Sequence, residues 1–208
     1  MIIFSSLLSH IDLYLQLFKT NKMETNNKHV CPWWMGYMLL IPLRKLGQSP
    51  EKILTPHISK GMNILDYGSA MGYFSLPLAK ITGEHGNVYC VDIQKKMLEK
   101  LQKRAERAGV KEIIKPRLVG KDFSTEELKE KIDFTMLFAV VHEVPDKINL
   151  FADLYKMAKS GSKVLFAEPK GHVTADEFEK SIDIAVKSGF KVIDEKPMKK
   201  GLSVFLMK

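Results

Sequence analysis

Along residues 49–208, short apolar runs alternate with longer stretches whose apolar positions recur at helical spacing. The runs are Ile64-Leu65, Val88 to Val91, Ile113-Ile114 with Leu118, Ile132 to Ala139, Lys163 to Ala167, Phe190 to Ile193 and Leu202 to Met207. Their length and polar or glycine-containing borders predict buried strands. Between them, Ile53, Leu54 and Ile58 predict a helix reaching Lys60-Gly61, opened by Ser49 as N-cap and Pro50 at its first position. Phe74, Leu76, Leu78 and Ala79 predict a second helix, and Met97, Leu98, Leu101, Ala105 and Ala108 a third, stopped by Gly109. Ser124-x-x-Glu127 has the form of a capping box for a short helix. A further helix through Leu150, Leu154, Met157 and Ala158 is expected to end at Ser160-Gly161. Thr174-x-x-Glu177 is a second capping box, opening a helix with Phe178, Ile182, Ile184, Ala185 and Val186 that stops at Gly189. Strands alternating with helices predict an α/β domain built on a mostly parallel sheet. Pro116 lacks a ladder donor, which fits an edge position for the third strand, and the last two strands are close enough for an antiparallel hairpin.

The stretch Asn63-Ile64-Leu65-Asp66-Tyr67-Gly68-Ser69-Ala70-Met71-Gly72 reads as a strand, a tight glycine turn and a helix start. Such a turn aims backbone N–H groups at whatever lies above it. Asp92 ends the second strand, twenty residues after Gly72, where a carboxylate can accept both hydroxyls of a ribose. A dinucleotide-binding dehydrogenase would space its glycines G-x-G-x-x-G; here the spacing is G-x-x-x-G with an acid two residues upstream. This arrangement resembles motif I of the class I S-adenosylmethionine-dependent methyltransferases, roughly acid-x-G-x-G-x-G, and the resemblance covers about residues 50 to 208.

The resemblance implies a Rossmann-like seven-stranded sheet of order 3-2-1-4-5-7-6, strand 7 antiparallel, with helices on both faces and an N-terminal helical cap. It implies S-adenosyl-L-methionine as cofactor, with Gly68 and Gly72 under its methionine part, Asp66 at its amino group and Asp92 at its ribose. Ser69, Ala70, Ile93 and Ala139 complete the implied cofactor set, together with Asp122 as candidate for the adenine amino group. Asp122 equally suits an acid near a helix N-terminus. Ala70 stands where the family usually has its middle glycine, which leaves a catalytically lost cofactor-binding protein as one alternative. The loop after the fourth strand carries Val140-Val141-His142-Glu143-Val144-Pro145-Asp146. It is similar to a hydrophobic-His-x-hydrophobic-Pro-Asp run of small-molecule methyltransferases of the quinone-biosynthesis type. The Asn- or Asp-Pro-Pro-aromatic motif of enzymes that methylate nucleobase amines is absent. His142 and Glu143 are therefore the acid/base candidates, since imidazole titrates near neutrality and a neighbouring carboxylate can tune it. A merely structural, hydrogen-bonded His142 is the competing reading. His172, after the fifth strand, is either an acceptor contact or an exposed loop histidine.

Residues 1–48 are expected to form an extension and cap, ahead of a methyltransferase domain over 49–208. In that segment Trp33, Trp34 and Tyr37 either wall the acceptor site, by the resemblance, or dock the segment on the domain. Residues 1–19 are apolar but interrupted by Ser5, Ser6, His10, Asp12 and Gln16, with no positive n-region, so neither a signal peptide nor a membrane span is expected. Translation starting at Met23 is a further expectation, because the polar run from Glu24 to Lys28 looks like an ordinary start. The two cysteines, Cys31 and Cys90, are far apart, so no disulfide framework or cysteine-based metal site is indicated and a reducing, cytoplasmic setting is the default.

Charge changes the picture only slightly. The formal net charge is +8, and the third helix carries Lys95, Lys96, Lys100, Lys103, Arg104 and Arg107 against Glu99 and Glu106. Helical spacing of its apolar positions lets these charges form a solvated face. No arginine-rich arm or aromatic-plus-basic module accompanies them. A small-molecule acceptor is the favoured partner, and an RNA methyltransferase is the alternative that the charge suggests.

Overall fold

The computed structural model describes residues 49–208 apart from 170, 172, 196, 197, 199 and 200. The expectations for residues 1–48, including Trp33, Trp34, Tyr37, Cys31 and the helical cap, and that for His172, lie outside the described residues. In chain order the elements are α1 (Pro50–Leu54), β1 (Asn63–Tyr67), α2 (Ser75–Thr82), β2 (Asn87–Asp92), α3 (Lys95–Arg107), β3 (Ile114–Leu118) and β4 (Ile132–Phe138). A 3-10 turn (Val141–Glu143) leads to α4 (Lys147–Met157), β5 (Ala158–Glu168), α5 (Ala175–Lys187), β6 (Lys191–Glu195) and β7 (Leu202–Met207).

The seven strands form one sheet of order β3-β2-β1-β4-β5-β7-β6. β1 to β5 pair in parallel and β7 runs antiparallel to both β5 and β6. Strand side chains alternate between two cores, as a sheet covered on both faces requires. Ile64, Val88, Cys90, Phe134, Met136 and Leu165 pack under Leu54, Leu78, Leu101 and Ala105 of α1, α2 and α3. Leu65, Val91, Leu137, Val164, Phe166 and Leu206 pack under Leu150, Phe151, Leu154 and Phe178 of α4 and α5. Pro116 lies on β3, an edge strand, where its missing N–H costs no ladder bond.

Several element ends differ from the pattern-based expectation, each for a local reason. α1 stops at Leu54 because Pro56 has no N–H to continue the helix, and Ser49 Oγ donates to Glu51 Oε2 rather than capping a backbone group. Ser124 does accept from the Glu127 N–H, but residues 125–130 form turns and not a helix. The Glu127 carboxylate pairs with Arg117 of β3 at 3.0 Å, so it does not reach back to complete the box. α4 ends at Met157, since Ala158 turns extended to pair with Ile132, and Ser160-Gly161 sit inside β5 at an irregularity where Gly161 has φ 77°. At α5 both halves of the capping box form: Thr174 accepts from the Glu177 N–H, and Glu177 accepts from the Thr174 N–H.

Candidate functional site

The parallel strands direct their C-terminal ends to one edge of the sheet, where an open α/β fold binds its ligands. β1 and β2 are neighbours with Asp66 opposite Cys90 and Tyr67 opposite Val91, so the glycine turn and Asp92 emerge side by side. The Ala70 N–H donates to Asp92 Oδ2 at 3.0 Å and the Gln94 N–H to Oδ1 at 2.8 Å. Burial pushes the Asp92 carboxyl above the usual carboxylate range, opposed by these backbone hydrogen bonds. The turn is anchored from below by the Gly68 and Ser69 N–H groups, both donating to the Val91 carbonyl. Arg104 of α3 donates to the Met71 carbonyl, so this side chain straps the turn and is not part of the helix's solvated face.

Ala70 has φ 45° and Ala139 φ 56°, both in the left-handed region that glycine occupies without penalty. For alanine this conformation costs roughly 1–2 kcal/mol. It explains why a glycine would suit position 70 and shows that the chain adopts the turn without one. Gly68 and Gly72 each have φ 79°. A Cβ on Gly72 would stand 2.6 Å from Leu76 and 3.1 Å from Leu101, so its bare backbone lets α2 and α3 close on the turn. A Cβ on Gly68 would stand 2.5 Å from Cγ2 of Val140, which therefore covers that side of the glycine. Packing of Val140 on Gly68 sets the height of the loop after β4.

Asp66 lies deeper than the sequence suggests. It is 4% exposed and its Oδ2 accepts from Ser75 Oγ, the first residue of α2, at 2.5 Å. Desolvation raises its pKa to about 7, with the Ser75 hydrogen bond opposing and the Asp92 charge assisting. Its carboxyl thus points into the α2 face beside Cys90, whose thiol burial also pushes up. Between the unfolded value near 3.8 and the folded value of about 7, the folded protein keeps a proton that the unfolded chain loses. Stability contributed by the neutral acid is present below pH 4 and falls as pH rises to about 7, by up to roughly 4 kcal/mol. Asp66→Asn, which keeps an acceptor for Ser75, is expected to raise Tm at pH 8 relative to the parent far more than at pH 5. Thermal melts at the two pH values measure this, and an equal shift at both would remove the ionisation account.

Other expected contacts fall on the same edge. Ile93, just past Asp92, is 53% exposed and offers an apolar surface on which a purine can rest. Asp122 is exposed in the turn after β3, its N–H bonded to the Leu118 carbonyl. Ala139 donates its N–H to the Ala167 carbonyl at 2.9 Å, tying the ends of β4 and β5 together. Ser69 is 4% exposed, and its Oγ has no hydrogen-bond partner. A buried orphan hydroxyl in the glycine turn is costly unless a ligand meets it. This atom, the Asp92 carboxylate and the positive-φ turn fit a nucleoside cofactor carrying a polar tail. On the opposite face of β1, Tyr67 and Phe123 line a separate cleft of about 170 Å³ against α4; neither Ser69 nor Asp92 lines it.

The histidine of the loop after β4 has a partner that the local sequence does not reveal. His142 Nδ1 lies 2.8 Å from Glu168 Oε2, and the His142 N–H donates to Glu168 Oε1 at 3.1 Å. Glu143 Oε1 is 4.0 Å from Nε2. The tuning carboxylate is therefore chiefly Glu168, at the tip of β5, and secondarily Glu143. Hydrogen bonding to Glu168 raises the His142 pKa above its ordinary value, against desolvation, with the Glu168 and Glu143 charges also raising it and Lys147 lowering it. The signal that could have found Glu168 was its place as an acid ending a parallel strand, the same rule that found Asp92.

A family model described as "Methyltransferase domain" matches residues 58–199. The chain is 24% identical over 112 residues to a demethylmenaquinone methyltransferase of Anoxybacillus flavithermus, covering 54% of this chain and 46% of that one. It is 26% identical over 121 residues to an arsenite methyltransferase of Aquipseudomonas alcaligenes, covering 56% and 35%. The match thus spans less than half the length of these two curated relatives. The fold is similar to that of a SAM-dependent methyltransferase from Aquifex aeolicus, with a TM-score of 0.74 at 22% identity, covering 86% of this chain and 99% of that one. No helix among the described residues is long and apolar enough to cross a membrane.

Proposed function

Because the chain belongs to the class I S-adenosylmethionine-dependent methyltransferase family, we propose that it transfers a methyl group from S-adenosyl-L-methionine to a small-molecule acceptor. The observation that carries this reading is the glycine turn with its orphan Ser69 hydroxyl, joined through the Ala70 N–H to Asp92 on the neighbouring strand. In it Ser69, Ala70 and the turn hold the amino acid part of the cofactor, Asp92 holds the ribose, and Ile93 and Asp122 border the adenine. Asp66 supports the turn from beneath through Ser75. When bound, the cofactor supplies an electrophilic methyl on a positively charged sulfur. The protein's own work is to align the acceptor atom and exclude water, which in the best-oriented models is worth roughly 7–11 kcal/mol. His142, beside Val140 on the loop packed against Gly68, is the proton acceptor of this scheme, with Glu143 beside it.

The small-molecule acceptor draws support from the two relatives above, whose names carry a quinone and a metalloid acceptor. Calorimetry with S-adenosylmethionine and, separately, with NAD tests the proposal. Micromolar binding of the first and none of the second is expected, and Asp92→Ala is expected to weaken it at least tenfold. Binding of NAD alone would overturn the proposal.

A further inference from the structure

Glu168 belongs to neither the glycine turn nor the loop that carries His142, yet it holds that histidine twice. One oxygen accepts from the backbone N–H of His142 and the other meets the ring at Nδ1. The Glu168 side chain is 1% exposed, and the imidazole is 22% exposed. A carboxylate can only accept, so the ring proton of neutral His142 must lie on Nδ1 and the lone pair on Nε2. Two bonds to one residue also fix the ring's rotation, because turning the imidazole away would leave a buried carboxylate oxygen unpaired. An unpaired buried charge is expensive. Among the described residues, the charged groups that act on the ring include Glu168 from β5, Glu143 from its own turn and Lys147 from α4.

We propose that Glu168 is a positioning residue that locks His142 with Nε2 as the proton acceptor, and that the methyl acceptor is accordingly a hydroxyl, thiol or activated carbon that sheds a proton on methylation. The inference rests on the methyl-transfer reading given above. In the step, the acceptor's bond to hydrogen breaks and the proton passes to Nε2. The electron pair left on the acceptor atom forms the new bond to the methyl carbon, and the carbon–sulfur pair stays on sulfur, which leaves neutral. Positive charge therefore moves from the sulfonium to the imidazolium, 2.8 Å from a buried carboxylate. An acceptor that presents a lone pair and carries no proton would gain nothing from this arrangement.

Nitrogen-detected NMR of the histidines, on the full chain without ligand, tests the first half. The expected result is that His142 is an Nδ1–H tautomer when neutral, titrating above an ordinary histidine. In Glu168→Gln its midpoint should fall by about one pH unit or more, roughly a tenfold loss of proton affinity, with the proton shifting toward Nε2. Affinity for S-adenosylmethionine, followed by calorimetry, should change less than about twofold, since Glu168 does not hold the cofactor. An Nε2–H tautomer in the parent protein overturns the proposal, and that reading stands even if Glu168→Gln fails to fold. The second half is tested by labelled-methyl transfer to a phenol, an alkyl thiol and arsenite as probes. Transfer to the phenol or thiol, rising with pH along the NMR titration of His142, is expected. Transfer to arsenite alone, or a rate flat across that titration, overturns the acceptor class. Failure to bind S-adenosylmethionine at all would instead remove the methyl-transfer reading and leave the tautomer result untouched.

Discussion

His142→Ala is expected to lower turnover by about 10²-fold or more, with affinity for S-adenosylmethionine within about twofold of the parent. A loss confined to the chemical step follows from the placement of the ring: the groups proposed to hold the cofactor, Ser69, Ala70 and Asp92, lie in the turn after β1 and at the end of β2, while His142 is held from β5. If His142 only fills space, the rate stays within a few-fold and the change appears in stability alone. Removing the ring does strip one partner from Glu168, so a melting curve must accompany the kinetics. The double variant His142→Ala with Glu168→Gln separates the two effects. Should the pair act as one unit, the second substitution adds almost nothing to the first, and the coupling between them matches the cost of either alone. The pH profile gives a further check. A base whose folded-state pKa is raised is protonated and idle at low pH, so turnover in the parent climbs as pH passes the His142 value and then levels.

Gly68→Ala is the second change with a large expected effect, this time on folding. At φ 79° an alanine pays roughly 1–2 kcal/mol for the left-handed backbone. Its Cβ would also stand 2.5 Å and 2.7 Å from two carbons of Val140. Overpacking of this kind costs typically about 1–3 kcal/mol, so a total of about 2–5 kcal/mol is expected by urea denaturation. Adding Val140→Ala removes the 2.5 Å contact to Cγ2 but keeps the Val140 Cβ at 2.7 Å, so it should return part of the packing cost and none of the backbone cost. Full recovery in the double variant would mean that neither the backbone conformation nor the Cβ contact carries strain there; no recovery would mean that Cγ2 of Val140 contributes nothing to the clash. Any surviving folded Gly68→Ala protein should also show impaired turnover, because raising Val140 displaces the loop that carries His142.

Much of the fold was legible because its cues are local. A run such as Val88-Tyr89-Cys90-Val91 between Gly86-Asn87 and Asp92 has few conformations open to it besides a buried strand, and Thr174-x-x-Glu177 marks a helix start by chemistry within four residues. Where the cue depended on a neighbour outside the window, it misled. Ser124-x-x-Glu127 has the same form as the true box, but Arg117 of β3 draws the glutamate away and the segment stays a turn. Ala158 fits the helical period of α4, yet pairing with Ile132 draws it into β5. Strand order was not legible from periodicity at all; it followed from the likeness of motif I and the terminal hairpin to a known family.

For the site, the amino-acid order by itself determined the groups adjacent along the chain: the turn from Gly68 to Gly72, the acid at the tip of β2, and the histidine in the loop after β4. These depend on backbone geometry over a few residues, which local composition encodes. Only the tertiary structure decided that Ser75 takes the carboxyl of Asp66 inward, that Arg104 straps the turn at Met71, that Val140 rests on Gly68 and that Glu168 grips His142. Each of these pairings joins separate elements, and the last joins the tips of β4 and β5 across 26 residues of chain. Which side chains meet there is set by sheet register and by which helix covers which face, so the partner of a reactive group emerges only when the strands are laid side by side.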